Sequence, residues 1–556
     1  MVDYTKRKTL RTLGALGAAS TLGMQGCSVI DICRRRFHPD DFSQICRQGI
    51  QPIFDAHGHF FNATDMQAGR YLTGPVLMDL SSLSSHSAVR RFLEKLGWLI
   101  QKFAQIVAPS ARDELDFLTH KRFQDQIKHP TEQQYSMAED PEYLTASEAF
   151  FDQLSQAEKS EINLLYKAAQ QEEVRIVSSR LGINLSQEKS TANFTANTLS
   201  QAISGTLPIA TSQRRLQSRG LNTNTSDFII ERYLAFVLRM LVRRSKNLAE
   251  YKDTYSMSEK GPSVVSVMDV TVDFDFWLGC TEGNSSMADQ VVLHERLHEL
   301  TDGYTVPILG VNPVKMLIQG DDYGHFIENT LKRGIYRGVK LYPTLGYSPS
   351  GALSPDLQQH FDTCGRLSSL PVEAQIKGAL EDIYSLCIKY DAVVMAHSNR
   401  SKGISSIAAT LAGPAYWRQV LQQERFKQLK VNFGHMGDLV DLGSPNCWPC
   451  EFLNLMAKYD NVYGDVGYWF EKQDKNTAAQ LVTLMKKAGD KTFNKVMYGT
   501  DWLMISQESG WNNYLSWTYN TFTAFKESGV INDEQMQNLF YQNGQSLLGN
   551  AVKTCQ

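Results

Sequence analysis

The sequence predicts an α/β fold: a (β/α)8 barrel of the TIM type, with a large, mainly helical insertion after its first strand. Three observations predict it. Eight short apolar, β-branched runs recur along the chain, at 52–55, 263–272, 306–311, 334–341, 392–396, 430–433, 461–466 and 495–497. Each is followed by helix-compatible sequence, and strand and helix alternating in this way imply a parallel sheet closed on itself. Ionisable residues stand at the C-terminal ends of several of these runs, where such a barrel keeps its chemistry.

From the N-terminus, residues 1–50 read as an export leader. Lys6-Arg7-Lys8-Thr9-Leu10-Arg11 is basic, and 12–24 is a weakly apolar run of Gly, Ala and Leu. That run is too short to span a bilayer and has the length of a signal-peptide core. The pattern resembles a twin-arginine export signal, with Lys6-Arg7 where two arginines are usual. Cys27, after Met24-Gln25-Gly26, resembles a lipoprotein cleavage cysteine. The expected location is therefore the periplasm or a membrane surface reached through an N-terminal lipid, with the cytoplasm as the alternative. The net charge of −3 leaves no electrostatic footprint for nucleic acid. A small molecule is the expected partner. Of the nine cysteines, Cys447-Trp448-Pro449-Cys450 is the one close pair. It reads as a local disulfide or two thiols, because a zinc knuckle needs a second pair or nearby histidines.

Residues 51–80 hold the first strand, 81–262 the insertion, and 263–556 the remainder of the barrel. Within the insertion, 89–108, 146–169 and 228–249 place apolar residues at helical spacing. The stretch 184–224 is rich in Ser, Thr, Asn and Gln and reads as a loop. His86, His120 and His129 have no partner at ligand spacing and read as surface or packing histidines. The insertion could form a lid or an oligomer interface.

The strand ends carry the function. In Phe54-Asp55-Ala56-His57-Gly58-His59, residues i and i+2 share a face, so His57 and His59 project together. Paired neutral imidazoles are a plausible start to a metal site. Strand four ends in Val339-Lys340-Leu341-Tyr342-Pro343, strand five in Met395-Ala396-His397-Ser398 and strand six in Phe433-Gly434-His435-Met436-Gly437. Strand eight ends in Tyr498-Gly499-Thr500-Asp501-Trp502. Each is an apolar run closing on a metal-capable or ionisable side chain beside a small residue.

The order His-x-His, Lys, His, His, Asp on strands one, four, five, six and eight resembles the amidohydrolase superfamily. The Phe-Asp-Ala-His-Gly-His start, Arg337-Gly338-Val339-Lys340-Leu341-Tyr342-Pro343, Tyr498-Gly499-Thr500-Asp501-Trp502 and Phe540-Tyr541-Gln542-Asn543-Gly544 resemble its amidohydrolase 2 branch. The resemblance covers 51–90 and 263–550. It implies a divalent metal, zinc first with Mn, Fe or Co as alternatives, and a hydroxide generated from metal-bound water. It also implies two ligand patterns. In one, His57, His59, His397 and Asp501 hold a single ion, and His435 is the catalytic electrophile or acid–base group. In the other, a carboxylated Lys340 bridges two ions, with His397 and His435 on the second; the one-ion pattern leads. Asp501 is also the expected proton acceptor.

The resemblance further implies an anion-binding arginine after strand one, for which Arg70 is the candidate, while Arg400 and Tyr468 are placed to reach the mouth. The expected activity is hydrolysis of a C–N or C–O bond in a small carboxylated or cyclic substrate. The alternatives are a metal-dependent decarboxylase of the same superfamily and a non-catalytic lipid-anchored binding protein. His294-Glu295-Arg296-Leu297-His298 spells the zincin peptidase signature. However, Thr301 and Tyr304 stand where a metzincin extension needs Gly and His. The segment reads instead as the amphipathic helix after strand two, packed outside the barrel.

Overall fold

The computed structural model describes residues 51–77, 87–120, 141–180, 193–203, 229–256, 261–276, 285–360, 365–437, 439, 442–444 and 447–552. The predicted leader, with Cys27, and the residues His86 and His129 lie outside them. Eight parallel strands form one sheet in chain order: β1 Pro52–Gly58, β2 Ser263–Val270, β3 Thr305–Gly310, β4 Gly338–Leu341, β5 Val393–His397, β6 Lys430–Gly434, β7 Val462–Asp465 and β8 Val496–Met497. The last strand returns to the first. Ala56 N donates to Tyr498 O at 2.9 Å, Asp501 N donates to His57 O at 2.7 Å, and Gly58 bridges Trp502 in parallel. Every residue of β2 is buried, as expected of a parallel strand covered on both faces.

Helices fill the connections. Between β1 and β2 run α1 (Ala88–Val107), α2 (Ala111–Leu118), α3 (Pro141–Gln153), α4 (Gln156–Arg180), α5 (Ala196–Ile203), α6 (Ile229–Leu241) and α7 (Arg244–Tyr255). After β2 comes α8 (Met287–Leu300), and after β3 come α9 (Pro313–Gln319) and α10 (Asp321–Lys332). The later strands are followed in turn by α11 (Glu373–Lys389), α12 (Pro414–Leu421), α13 (Trp448–Lys458), α14 (Lys475–Ala488) and α15 (Tyr514–Glu527). No helix among the described residues is long and apolar enough to cross a membrane. Cys447 and Cys450 form a disulfide at the start of α13.

Several boundaries differ from the periodicity, each for a local reason. The segment 228–249 is two helices, because Arg243 leaves the helical conformation and gives its backbone N–H and guanidinium to Glu142. The segment 146–169 spans parts of two helices, α4 being entered at Ser155, whose hydroxyl and backbone exchange hydrogen bonds with Glu158. The polar stretch 184–224 includes α5, entered through reciprocal backbone–hydroxyl bonds between Thr195 and Thr198. Residues 334–337 turn before β4, with Gly334 at φ 77°.

The helices between β1 and β2 are tied to the barrel mouth by buried charge. Arg244, at the start of α7, pairs with Asp65 on the loop after β1 and with Glu114 of α2, and all three side chains are fully buried. Its guanidinium also donates to Thr64 Oγ1 and Ser285 Oγ. Breaking a buried pair leaves an uncompensated charge, at a cost of about 3–5 kcal/mol. We expect Arg244→Met to lower stability by an amount on that order in thermal or denaturant unfolding; a change near zero would mean these helices are not anchored through Arg244.

Candidate metal centre

Each of the four strand-end histidines is held by a partner on one ring nitrogen. His57 Nδ1 lies 3.0 Å from Asp465 Oδ1, and His59 Nδ1 lies 3.0 Å from Val270 O. His397 Nε2 lies 2.9 Å from Ser401 O, and His435 Nδ1 lies 2.9 Å from Gly467 O. A carbonyl or carboxylate oxygen only accepts, so the nitrogen facing it carries the proton and the other carries a lone pair. Burial lowers the pKa of His57, His59 and His397 well below the usual range and that of His435 to about 4, so the rings are neutral. The structure thus presents four imidazoles in fixed tautomers.

The remaining ring nitrogens of His57 and His59 face Asp501. Its Oδ1 is 3.6 Å from His57 Nε2 and 3.5 Å from His59 Nε2. Burial holds the Asp501 carboxyl well above the usual carboxylate range, with Lys340 and Lys402 acting in the opposite direction. Burial outweighs the two lysines at this carboxylate. The donor set therefore fits a divalent cation. Among the described residues, two groups bring metal-capable atoms within 4.8 Å of one another: His57, His59 and Asp501, and His57, His435 and Asp465. In the second, Asp465 is already saturated, with Oδ1 accepting from the backbone N–H of His435 and of Gly467 and Oδ2 from Asn432. Asp465 is thus the residue that orients His57.

Lys340 is fully buried, with Nζ 3.2 Å from His57 Nε2. Burial lowers its pKa to about 8, against the pull of Asp465 and Asp501. The rings of His57 and His435 have centroids 4.4 Å apart, and those of His397 and His435 4.7 Å. The five strand-end positions read from the sequence, His57 with His59, Lys340, His397, His435 and Asp501, are therefore brought together. The imidazole of His57 is also walled by glycines. A Cβ on Gly434 would lie 3.0 Å from its Cε1, one on Gly467 3.0 Å from its Nδ1, and one on Gly499 3.1 Å from its Cβ. His435, Tyr468, Asp501 and Lys402 all have positive φ, and such backbone is typical of functional sites held by their surroundings.

A cavity opens over this cluster. Phe61, Tyr71, Pro75, Val272, Phe274, Tyr342, Leu345 and Met504 form its apolar wall, and His59, His397, His435, Asp501 and Lys402 supply the polar groups. Arg70, Arg400 and Tyr468 are not among the residues lining it. Arg70 is exposed on the turn Ala68–Tyr71, whose last residue does line it. Arg400 lies over the Trp448 ring at 3.7 Å, and Tyr468 donates to Glu508 Oε1 at 2.6 Å. The cation in the lining is Lys402, two residues beyond Arg400. The loop that carries it is pinned where Ser401 O meets His397 and where Ile404 N donates to Thr344 O. Asp465 and Lys402 were missed in the sequence. Asp465 had a usable signal, a carboxylate closing strand seven between Gly464 and Gly467.

The peptidase-like segment lies on α8. His294 Nδ1 is 2.7 Å from Asp269 Oδ2, His298 Nδ1 is 2.5 Å from Thr305 O, and Glu295 pairs with Arg333. All three are engaged by structural partners. His120 is exposed.

The chain is similar to known proteins over part of its length. Residues 332–549 match the family described as Amidohydro_2, amidohydrolase. Similar solved structures include the 2,6-dihydroxybenzoate decarboxylase from Rhizobium, 12% identical over 47% of this chain and 76% of that one, with a TM-score of 0.30. The dihydroorotase of Campylobacter jejuni is 12% identical over 48% and 72%, TM-score 0.28. The IDCase of Metarhizium anisopliae is 10% identical over 52% and 76%, TM-score 0.31. No curated protein sequence matches the chain.

Partners that orient a metal-bound histidine typically contribute roughly 10–100-fold in metal affinity. We expect Asp465→Asn to weaken metal binding by a factor in that range, measured by competition with a chromogenic chelator. An unchanged affinity would remove Asp465 from this role.

Proposed function

We propose that this protein is a metal-dependent hydrolase acting on a C–N or C–O bond, such as an amide or lactone, in a small carboxylated or cyclic molecule. The observation that supports it is the set of four neutral imidazoles, each fixed in one tautomer, beside a buried carboxylate. His57, His59 and Asp501 would hold one divalent ion, zinc first, with His397 as the fourth ligand. When bound, the ion supplies a Lewis acid that makes hydroxide available near neutral pH. Asp501 takes up the proton of the attacking water and returns it to the leaving group. His435, whose Nδ1–H is committed to Gly467 O, keeps a lone pair at Nε2 and would accept that same proton in place of Asp501. Lys402 holds the carboxylate of the substrate, and the aromatic wall holds its body and excludes water.

A two-ion form is favoured by one observation, the buried Nζ of Lys340 at hydrogen-bond distance from His57 Nε2. An ammonium there would repel a cation, whereas a carboxylated Lys340 would bridge two. A decarboxylase is the second reading, since a cation beside Asp501 in an apolar cavity suits a carboxylate that is itself the leaving group.

Elemental mass spectrometry on protein purified without chelator tests the metal assignment. About one ion per chain, lost in His57→Ala, supports the four-ligand site, and about two supports the bridging Lys340. No ion after reconstitution with Zn or Mn overturns the catalytic reading and leaves a binding protein. With the loaded enzyme, release of carbon dioxide from cyclic carboxylates would replace hydrolysis by decarboxylation. We also expect Lys402→Met to raise KM for carboxylated substrates by roughly tenfold or more, the worth of one charged hydrogen bond, and to leave neutral analogues unaffected.

A further inference from the structure

Asp55 lies two residues before His57, fully buried, and no cation among the described residues pairs with it. Its carboxylate is held by hydrogen-bond donors instead. Oδ1 accepts from His57 N at 2.9 Å and from Thr500 N at 3.0 Å, and Oδ2 accepts from Thr500 Oγ1 at 2.6 Å. These bonds link the backbone of His57 to the residue before Asp501. One carboxylate therefore sets the spacing between the first and last strand-end ligands. The remaining donor comes from outside the barrel. Tyr251 of α7 donates its hydroxyl to Asp55 Oδ2 at 2.5 Å, and its ring packs edge-on against Trp502 at 5.6 Å.

Other contacts bring the same helices to both ligand-bearing loops. Ala63 N donates to Met240 O at 2.8 Å on the β1 side. On the β8 side, the Arg239 guanidinium stacks at 4.7 Å from the Trp511 ring, which itself packs on Trp502. The helices between β1 and β2 thus touch the frame on which His57 and Asp501 stand.

We infer that Tyr251 is a positioning residue for the metal centre: through Asp55 it fixes the distance between His57 and Asp501, making α7 part of the machinery that holds the ion. The inference rests on the metal reading above. Without the hydroxyl, Asp55 Oδ2 keeps only Thr500 Oγ1, and the carboxylate is free to shift towards that side and carry the His57 backbone with it. The barrel itself does not need this bond, because β1 and β8 are also joined directly.

Tyr255 supplies a matched control. It lies one turn along α7, is equally buried and packs on Trp502, but donates its hydroxyl to Trp511 O at 2.5 Å. The experiment compares Tyr251→Phe with Tyr255→Phe by Co(II) titration of the metal-free full chain, following visible absorption and thermal unfolding together. We expect Tyr251→Phe to weaken Co(II) binding roughly tenfold or more and to alter the Co(II) spectrum, as loss of an outer partner does elsewhere. Tyr255→Phe should lower the unfolding midpoint comparably and leave affinity and spectrum unchanged. Equal losses of affinity in the two variants, or none in Tyr251→Phe, overturn the inference while a Co(II)-binding parent leaves the metal reading intact. A parent chain that takes up no Co(II) overturns both.

Discussion

The seam between the first and last strands is the constraint from which the rest of the site follows. A closed parallel sheet must join β1 to β8, and here the joining atoms belong to two candidate ligand residues and their neighbours: Asp501 N donates to His57 O, and Ala56 N to Tyr498 O. Closure of the barrel and assembly of the site are thus a single event. Lys340, His397 and His435 are placed by the strand pairings between, with Lys340 opposite Met395 and His397 opposite Gly434. No loop has to be ordered to bring these side chains together.

Around that seam the chain surrounds its polar groups with protein. Each imidazole has one nitrogen tied off by a carbonyl or carboxylate, which removes rotational and tautomeric choice before any ligand arrives. Asp465 accepts four hydrogen bonds, and Asp55 has four as well. In a site this buried, an unfixed carboxylate would be costly, so the second layer of residues is as built as the first.

Much of the barrel was legible because a parallel strand buried on both faces leaves a continuous apolar signature, and because ionisable residues closing such runs have few structural reasons to be there. His57, His59, Lys340, His397, His435 and Asp501 were readable for that reason. What was not legible depends on three-dimensional reach. Arg400 and Lys402 are both cations just after strand five, and only the fold of the loop turns Lys402 to the cavity while Arg400 rests on Trp448. Arg70 and Tyr71 are adjacent on one short helical turn, and the apolar neighbour is the one that lines the cavity. The role of Tyr251 has no sequence signal, because an amphipathic helix looks the same whether its tyrosine meets a leucine or a carboxylate.

The glycines around His57 bear on how this scaffold can change. Gly434, Gly467 and Gly499 stand on three different strand ends, and a methyl group on any of them would press within about 3.1 Å of the ring or its Cβ. No flexible neighbour is there to yield, since the imidazole itself is clamped. Drift at these positions is therefore closed in all directions, while the apolar wall of Phe61, Val272, Phe274 and Leu345 can exchange one side chain for another of different shape. Descendants of this sequence can reshape the cavity through that wall. The slot that seats the first histidine they must inherit unaltered.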